Sequence, residues 1–364
     1  MEMKILSKDI SEKDIDNTVT LSGWVNKRRD HGGIIFVDLR DHTGIVQIVF
    51  NPDNKDIFKE AEILRSEFVI SVTGTITARS EDTINEDISS GKIEVVADHL
   101  VILNNSETPP FMINDHNVSE DLKLQYRYID LRSSRLQNNL KFRSDLLKVI
   151  RDYFHENEFI DVETPILTKT TPEGARDYLV PSRLKKESFF ALPQSPQIFK
   201  QTLMIGGIEK YYQIARCFRD EDLRSDRQPE FTQLDVELAF ATEEKIIDLT
   251  EKLFHKIFRD IFSVNDVVFN KMTYEDAMEN YGCDKPDLRN PLKMISIKED
   301  IKDTKFKVFS DPANTQDGKV VALRVPDGNK LSRKDIDVLT EMLREFGAKG
   351  LAYLKCDDIG NISD

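Results

Sequence analysis

Charged and aromatic side chains in the middle of the chain have the types and spacing to bind a phosphate group and a planar base. Arg219 follows the apolar run Tyr211–Phe218, where a guanidinium can form paired hydrogen bonds with a phosphate. The alternation of side chains in the next run predicts a strand with one face on a core and one open to a polar ligand. The polar face would carry Phe231, Gln233, Asp235 and Glu237, and the apolar face would carry Thr232, Leu234, Val236 and Leu238.

Two segments before this pair of strands also carry polar side chains. In LPQSPQIFKQ, residues 192–201, Ser195 could cap a helix that begins near Pro196 and continues past Lys200. In TPEGARD, residues 171–177, the turn-forming residues place Glu173 on a flexible loop. Taken alone, Lys200 and Glu173 would be ordinary solvent-exposed side chains.

The first part of the chain has the pattern of a small β-barrel. Five apolar, β-branched runs are separated by turn signals: Val19–Val25, Ile34–Leu39, Ile45–Phe50, Phe68–Ile76 and Ile93–Leu103. Ile57, Ala61 and Leu64 follow the third run at the spacing of one helix face. This order predicts an OB-fold, whose open face binds oligonucleotides. Lys27–Arg29 would add positive charge there, and Phe36 would stack on a base or pack in the core.

The remaining patterns predict an α+β multidomain protein. A polar connector beginning NNSETPP leads into a helix over about 136–157 and then a strand that ends in proline. Another helix is predicted over 246–258, and short strands with a helix are predicted after Pro291. The predicted domains are an OB-fold (1–105), a hinge (106–135), an antiparallel-sheet core with flanking helices (136–284) and the incomplete start of an α+β inserted domain (285–364).

Composition excludes several classes of protein. The net charge of −14 argues against binding to nucleic acid, DNA included, by general charge attraction. Isolated cysteines (Cys217, Cys283 and Cys356) predict neither a zinc site nor a disulfide framework. No run is apolar enough for a bilayer, and the first residues lack a signal-peptide pattern, so no membrane partner and a cytoplasmic location are predicted.

The segment FRDEDLRSDRQPEFTQLDVE resembles motif 2 of the class II aminoacyl-tRNA synthetases, and in detail that of the bacterial-type aspartyl-tRNA synthetases. The resemblance implies that Arg219 is catalytic and bridges the ATP α-phosphate and the aspartate carboxylate. Glu221 would accept from the adenine amino group, and Phe231 would stack under the ring. The implied ATP site is Arg219, Asp220, Glu221, Gln228 and Phe231, with Arg227 also near the phosphates.

The same resemblance implies a site for L-aspartate. Lys200 would pair with the side-chain carboxylate of the substrate, which discriminates against the neutral amide of asparagine. Asp235 and Glu173 would hold the ammonium group, and the role of Glu237 stays open. The implied aspartate-binding residues are Glu173, Ser195, Gln197, Lys200, Arg219 and Asp235. Mg²⁺ is expected with ATP, with its ligands mainly in the C-terminal part of such an enzyme that this chain lacks, and no metal ligand is assigned here. The helix near 136–157 resembles motif 1, which implies a homodimer.

GWVNKRRDHGGIIFVDLRDHTGIVQIVF resembles the anticodon-binding domain of the same family. It implies that Phe36 stacks on the central anticodon uracil and that Gln47 hydrogen-bonds to it. Arg29 and Glu94 would lie beside the first anticodon base. The turn that contains His31 resembles that of the non-discriminating enzymes, which implies tRNA-Asn as well as tRNA-Asp as a partner.

We found no third class II motif in residues 241–364, and residues 345–353 resemble the domain inserted in the bacterial type. We therefore expect this chain to cover roughly the first three-fifths of such an enzyme and to be inactive alone. Two alternatives are an asparaginyl- or archaeal-type aspartyl-tRNA synthetase, disfavoured by the QPEF loop and the inserted domain, and a non-catalytic RNA-binding paralogue. The retained Arg219, Glu221, Lys200 and Asp235 argue against the paralogue.

Overall fold

A computed structural model describes residues 5–222, 224–356 and 362–363. Leu223, in the predicted motif 2 loop, and the side chain of Cys356 lie outside the described residues. The chain divides into two units, residues 1–265 and 266–364, and each is described by itself.

The first 104 residues contain a closed barrel with the strand order β1-β2-β3-β5-β4. Alternation explains β2: Ile35, Val37 and Leu39 point into the barrel core, while Phe36 and Asp38 lie outside it. The barrel confirms the predicted OB-fold. Its elements are β1 (Thr18–His31), β2 (Ile34–Arg40), β3 (Ile45–Phe50), helix α1 (Lys55–Glu62), β4 (Val69–Ala78) and β5 (Ile93–Asn104).

Two glycines allow the barrel strands to approach closely. A Cβ atom at Gly23 would lie 2.3 Å from the carbonyl oxygen of Arg40, and one at Gly74 would lie 2.2 Å from that of Val96. Any larger residue would collide with backbone at both positions. The glycines therefore permit the tight bending that closes a small barrel.

The segment after the barrel is held against it by a charged cluster. Glu67 is buried and accepts hydrogen bonds from both terminal nitrogens of Arg40, at 2.9 and 2.8 Å, and from Arg132. The Arg132 guanidinium also lies 5.6 Å from the ring centroid of Trp24. The short helices α2 (Glu120–Gln125) and α3 (Arg127–Asp130) precede this contact.

A small sheet with the order β10-β9-β6 forms the core of the rest of this unit. Strands β9 and β10 are antiparallel, while β6 runs parallel to β9. Strand β6 is shorter than predicted because only the amide of Val162 continues the pairing before the chain turns away. The elements are α4 (Ser134–Glu156), β6 (Ile160–Asp161), β7 (Leu179–Pro181), β8 (Phe189–Ala191), α5 (Gln197–Ile205), β9 (Lys210–Phe218), β10 (Glu230–Leu238) and α6 (Glu243–Phe262).

Helices α4 and α6 cover one face of this sheet. Phe154 of α4 stacks on Tyr212 of β9 with ring centroids 4.7 Å apart, and Leu253 of α6 joins the same core. The opposite face stays free of these helices. The sequence pattern of α4 and β10 therefore correctly predicted which side of the sheet is apolar.

The second unit contains short elements, as predicted. Strand β11 pairs with β12 and strand β13 with β14, both antiparallel. No helix within the described ranges is long and apolar enough to cross a membrane. The elements are α7 (Tyr274–Tyr281), β11 (Met294–Ser296), α8 (Lys307–Ala313), β12 (Val321–Leu323), α9 (Arg333–Glu345), β13 (Lys355–Cys356) and β14 (Ile362–Ser363).

Candidate active site and nucleic-acid interface

The open face of β9 and β10 carries the predicted polar residues. Leu234 and Val236 pack toward the helices, which leaves Phe231 and Asp235 on the other side. The register places Phe231 opposite Cys217 and Asp235 opposite Gln213. The predicted alternation in β10 is thus confirmed.

Arg219 and Phe231 lie together at one end of this face. The guanidinium carbon of Arg219 is 5.0 Å from the centroid of the Phe231 ring, within cation–π range. The Arg219 amide donates to the carbonyl of Pro229 at 2.9 Å, which fixes the backbone at the start of the loop. The Arg219 guanidinium could therefore donate paired hydrogen bonds to a phosphate, and the adjacent Phe231 ring could stack on a base.

Lys200 of α5 reaches the same face and forms a nearly buried ion-pair cluster. Its ammonium lies 2.8 Å from Asp235 Oδ1 and 3.3 Å from Glu237 Oε2, and the Lys200 and Asp235 side chains are 12% and 7% exposed. Burial opposes the charged ammonium, but the two carboxylates outweigh burial and raise the pKa of Lys200. Lys200 is thus a nearly buried cation, but its partners here are the protein carboxylates of Asp235 and Glu237. Its pairing with the carboxylate of a substrate stays a prediction.

The Asp235 carboxylate can accept a further hydrogen bond. Its second oxygen, Oδ2, is buried and has no hydrogen-bond partner among the described residues. A buried carboxylate oxygen without a donor is unfavourable in a folded protein. The atom is thus available to a donor supplied by a ligand.

Residues 171–177 lie against this site and are held there by Gln194, which sequence reasoning missed. Gln194 is 1% exposed, accepts from the Ala175 amide at 3.1 Å, and donates to the Ala175 carbonyl at 2.9 Å and to Asp177 at 2.5 Å. The only sequence signal for Gln194 was its place between Pro193 and Ser195. The Arg176 carbonyl accepts from the Asp220 amide at 3.0 Å, which ties the loop to the end of β9.

Ser195 and Glu173 meet, but Ser195 does not cap a helix. Helix α5 has Pro196 at its N-cap and no side-chain cap hydrogen bond, so the predicted cap is wrong. Instead, Ser195 Oγ donates to Glu173 Oε2 at 2.9 Å. The helix begins at Gln197, so Pro196 occupies the N-cap position, and the Ser195 hydroxyl is directed to the Glu173 carboxylate.

The other predicted ligand-binding residues are less closely packed. Asp220 is paired with Arg176 at 3.7 Å, and the exposed Glu221 with Arg227 at 3.6 Å. Gln228 lies exposed in the loop between the strands, and Gln197 lies exposed at the start of α5. Neither glutamine is brought to the Lys200–Asp235 cluster by a recorded contact among the described residues.

Three buried residues of β9 complete the floor of the site and were not predicted. The Tyr211 hydroxyl donates to Gln213 Oε1 at 2.9 Å, and burial together with the Asp235 charge raises the pKa of Tyr211. Burial raises the pKa of Cys217 to about 11, although the charge of Arg219 acts in the opposite direction. The Cys217 thiol donates to Gln233 at 3.5 Å and is therefore a neutral packing group.

Within residues 5–222 and 224–356, no group of three or more His, Cys, Asp or Glu side chains is arranged to hold a metal ion. We assign no Mg²⁺ ligand among these residues.

The outer face of the barrel carries a connected polar network. Arg29 Nη2 donates to Asp38 at 2.5 Å and to Gln47 Oε1 at 3.0 Å, and Gln47 Nε2 donates to Glu94 at 2.7 Å. Phe36 is half-buried and lies directly opposite Arg29 across β1 and β2. The structure thus brings together all four residues predicted to read an anticodon and places Phe36 outside the core.

His31 ends β1 and is exposed beside this face. Gly32 and Gly33 have φ of +65° and +82° and join His31 to Ile34, its cross-strand partner. A two-residue hairpin with positive φ at both positions is favoured by glycine. The turn therefore explains the two glycines without reference to a ligand.

The barrel, the hairpin site and the second unit each correspond to a known family. Residues 119–333 match the model for tRNA synthetases class II (D, K and N). Residues 19–103 match the OB-fold nucleic acid binding domain, and residues 309–364 match the GAD domain. The chain belongs to the class II tRNA synthetases of the D, K and N group.

The chain is also similar in sequence to individual proteins. The chain is 54% identical over 352 residues to an aspartate--tRNA(Asp/Asn) ligase of Legionella pneumophila (strain Corby), which covers 96% of this chain and 59% of the relative. It thus spans about three-fifths of the length of that relative.

Solved structures of more distant proteins share the fold. The putative aspartyl-tRNA synthetase of Leishmania major Friedlin has a TM-score of 0.64 at 22% identity, over 72% of this chain and 53% of that chain. The asparaginyl-tRNA synthetase of Entamoeba histolytica in complex with asparaginyl-adenylate has a TM-score of 0.64 at 24% identity, over 76% and 65%.

Proposed function

We propose that the full-length protein is an aspartate–tRNA ligase. The carboxylate of L-aspartate would attack the α-phosphorus of ATP, forming aspartyl-adenylate and releasing pyrophosphate. A ribose hydroxyl of the tRNA would then attack the mixed anhydride, forming aminoacyl-tRNA and releasing AMP. The likeness to the Legionella ligase supports both steps.

The observation that carries this proposal is the Lys200–Asp235 pair. Aspartate brings an ammonium and a side-chain carboxylate, and the site offers the opposite charge to each. Asp235 Oδ2 is buried without a donor and would accept from the substrate ammonium. Lys200 would direct a donor to the side-chain carboxylate. Asparagine has no charge at that end, so a buried ammonium would favour aspartate.

Activation of an amino acid needs no protein nucleophile. The catalytic requirements are in-line placement of the two substrates and neutralisation of the charge that develops on the phosphate. Arg219 would supply both by bridging the α-phosphate and the carboxylate, while Phe231 would stack under adenine. Asp220, Glu221 and Gln228 would complete the ATP site, and Glu173, Ser195 and Gln197 the ammonium side of the aspartate site.

ATP would bind with Mg²⁺ as part of the substrate. The protein ligands of the ion are expected mainly in the part of the relatives that this chain does not span, and no step of the proposal runs through the ion. We propose that activity also needs the region of the relatives that this chain does not span. The 364-residue chain alone is therefore expected to show background activity.

The barrel would bind the anticodon of tRNA-Asp and of tRNA-Asn, with Phe36 stacked on the central base and Gln47 hydrogen-bonded to it. Because tRNA charging serves translation, we propose a cytoplasmic location. We also propose the domain bounds 1–105, 106–135, 136–284 and 285–364.

A homodimer through α4 is part of the proposal. Leu140 and Phe142 are exposed on this helix, and the Phe142 ring lies 5.8 Å from that of Phe262 beside a groove of about 380 Å³. A second copy would cover this apolar surface. Sedimentation of the wild type and of Leu140→Glu tests it: a monomeric wild type would remove the dimer from the proposal.

Pyrophosphate exchange tests the activity itself. The full-length protein should exchange pyrophosphate into ATP when L-aspartate is added, and much more slowly with L-asparagine. A folded full-length protein with no aspartate-dependent exchange would contradict the proposed function.

A further inference from the structure

The side-chain amide of Gln47 lies between a group that can only donate hydrogen bonds and a group that can only accept them. Arg29 donates to its oxygen at 3.0 Å, and its nitrogen donates to Glu94 at 2.7 Å. A guanidinium has no acceptor, and an ionised carboxylate has no donor. If the amide turned over, N–H would face N–H and oxygen would face oxygen. The chemistry of the neighbours therefore permits one orientation.

The strand register holds these neighbours in place. Asp38 lies opposite Gln47 across β2 and β3, and its carboxylate binds Arg29 at 2.5 Å. Gln47 itself is 7% exposed, so it lies in the wall of the barrel. The three flanking side chains, on three different strands, form a rigid frame around one amide.

This frame leaves Gln47 with one free donor and one free acceptor. A glutamine amide carries two N–H groups and two oxygen lone pairs, and the described contacts use one of each. Uracil presents an acceptor, O4, beside a donor, N3–H. Cytosine presents the reverse, a donor at N4 beside an acceptor at N3. For a base stacked in one position, the two pyrimidines need opposite amide orientations.

We infer that Arg29 and Glu94 are positioning residues that make Gln47 selective for uracil over cytosine at the central anticodon position. They act by preventing the amide from turning over, not only by lying beside the first anticodon base. This inference rests on the proposed binding of the anticodon by the barrel, and it adds a cause for selectivity at that base.

Binding of two RNA hairpins tests the inference with the 364-residue chain. The hairpins carry the same anticodon arm and differ only in the central anticodon base, uracil or cytosine. Fluorescence anisotropy gives the two dissociation constants. The wild type should prefer the uracil hairpin by about tenfold or more, the usual size of one base contact.

Glu94→Gln is the decisive variant because a neutral amide at position 94 can donate as well as accept. A turned Gln47 amide would then face only the Arg29 guanidinium, whose side chain is 43% exposed, so the preference should fall without vanishing. We expect tighter binding of the cytosine hairpin, a preference at least about threefold smaller than that of the wild type, and uracil binding within about threefold of wild type. Asp98→Asn is the matched control. It removes one carboxylate charge from β5, the strand that carries Glu94, at an exposed residue that accepts a hydrogen bond from Thr75 and is not part of the frame, and the preference should remain.

The possible results separate the inference from the proposed function. If Glu94→Gln weakens both hairpins equally and keeps the preference, Glu94 contacts RNA directly and the inference is overturned. Gln47→Leu should abolish the wild-type preference. If that variant keeps it, or if the wild type shows no preference or no binding, the proposed anticodon function fails and the inference fails with it. Thermal melting confirms that each variant is folded.

Discussion

The ammonium of Lys200 lies 2.8 Å from Asp235 Oδ1, although the two residues are 35 positions apart in the chain. The cation on α5 and the anion on β10 neutralise each other in a nearly dry site. A ligand that carries both charges can take over each half of this pair. In the proposed function this ion pair is the receptor for a charged amino acid.

Lys200→Met should raise the KM for aspartate far more than the KM for ATP. The substitution leaves the substrate carboxylate and two protein carboxylates without their cation, and losing one partner of a buried pair costs about 2–5 kcal/mol. Steady-state pyrophosphate exchange by the full-length protein measures both constants. Lys210→Met is the matched control, because Lys210 pairs with Glu158 at 3.0 Å and neither residue belongs to the Lys200 cluster. An equal rise in both KM values would argue against a role in aspartate binding.

Arg219→Ala should abolish pyrophosphate exchange in the full-length protein while leaving it folded. Removing a group that neutralises phosphate charge costs about 3 kcal/mol or more in the barrier. Arg219→Lys should restore little of the exchange activity, because a lysine ammonium cannot form the paired hydrogen bonds of a planar guanidinium. Arg216→Ala is the control, since Arg216 lies exposed on the other face of β9 and pairs with Glu230. Near-normal exchange by Arg219→Ala would remove Arg219 from the mechanism.

Gly23→Ala should destabilise the barrel, whereas Gly44→Ala should not. A methyl group at Gly23 would lie 2.3 Å from a backbone oxygen, but the nearest atoms to one at Gly44 are 3.6 Å away. Overpacking of this kind costs about 1–3 kcal/mol or more. Urea unfolding followed by Trp24, the one tryptophan of the chain, reports on the barrel directly. Equal midpoints for the two variants would contradict the predicted close approach.

Cys217 should resist alkylation at pH 8, while Cys283 should react. The pKa of Cys217 is raised to about 11 because burial disfavours the thiolate, so only about one thiol in a thousand is ionised at pH 8. Cys283 is exposed. Iodoacetamide labelling with peptide mapping measures both sites, and labelling of Cys217 should rise as the pH approaches 11 or in urea. Equal labelling of the two at pH 8 in the native protein would refute this.

Charging of tRNA-Asn should lie within about tenfold of charging of tRNA-Asp by the full-length enzyme. The two tRNAs differ at the third anticodon base, where one lost base contact is worth about 1–3 kcal/mol, and we expect the short glycine turn after His31 to make few contacts with that base. Aminoacylation of the two transcripts measures the ratio. A preference for tRNA-Asp of a hundredfold or more would exclude the non-discriminating assignment.

The sequence by itself determined the barrel and the polarity of the binding strands. Local alternation in β2 and β10 decides which side chains point to a core, because successive residues of a strand face opposite sides. For this reason Phe231 and Asp235 were predictable as members of one open face, whereas the run Ile34–Val37 is apolar on both faces and left the position of Phe36 open. The motif 2 residues identified the family before any contact was known.

Only the tertiary structure decided which of these residues meet. The Lys200–Asp235 pair, the Gln194 anchor and the Arg29–Gln47–Glu94 network join distant segments, and their geometry depends on strand register and loop closure. The error over Ser195 has the same cause. A local rule assigned its hydroxyl to a helix end, but the fold makes Pro196 the N-cap and brings the Glu173 carboxylate within 2.9 Å of the Ser195 hydroxyl, which donates to it.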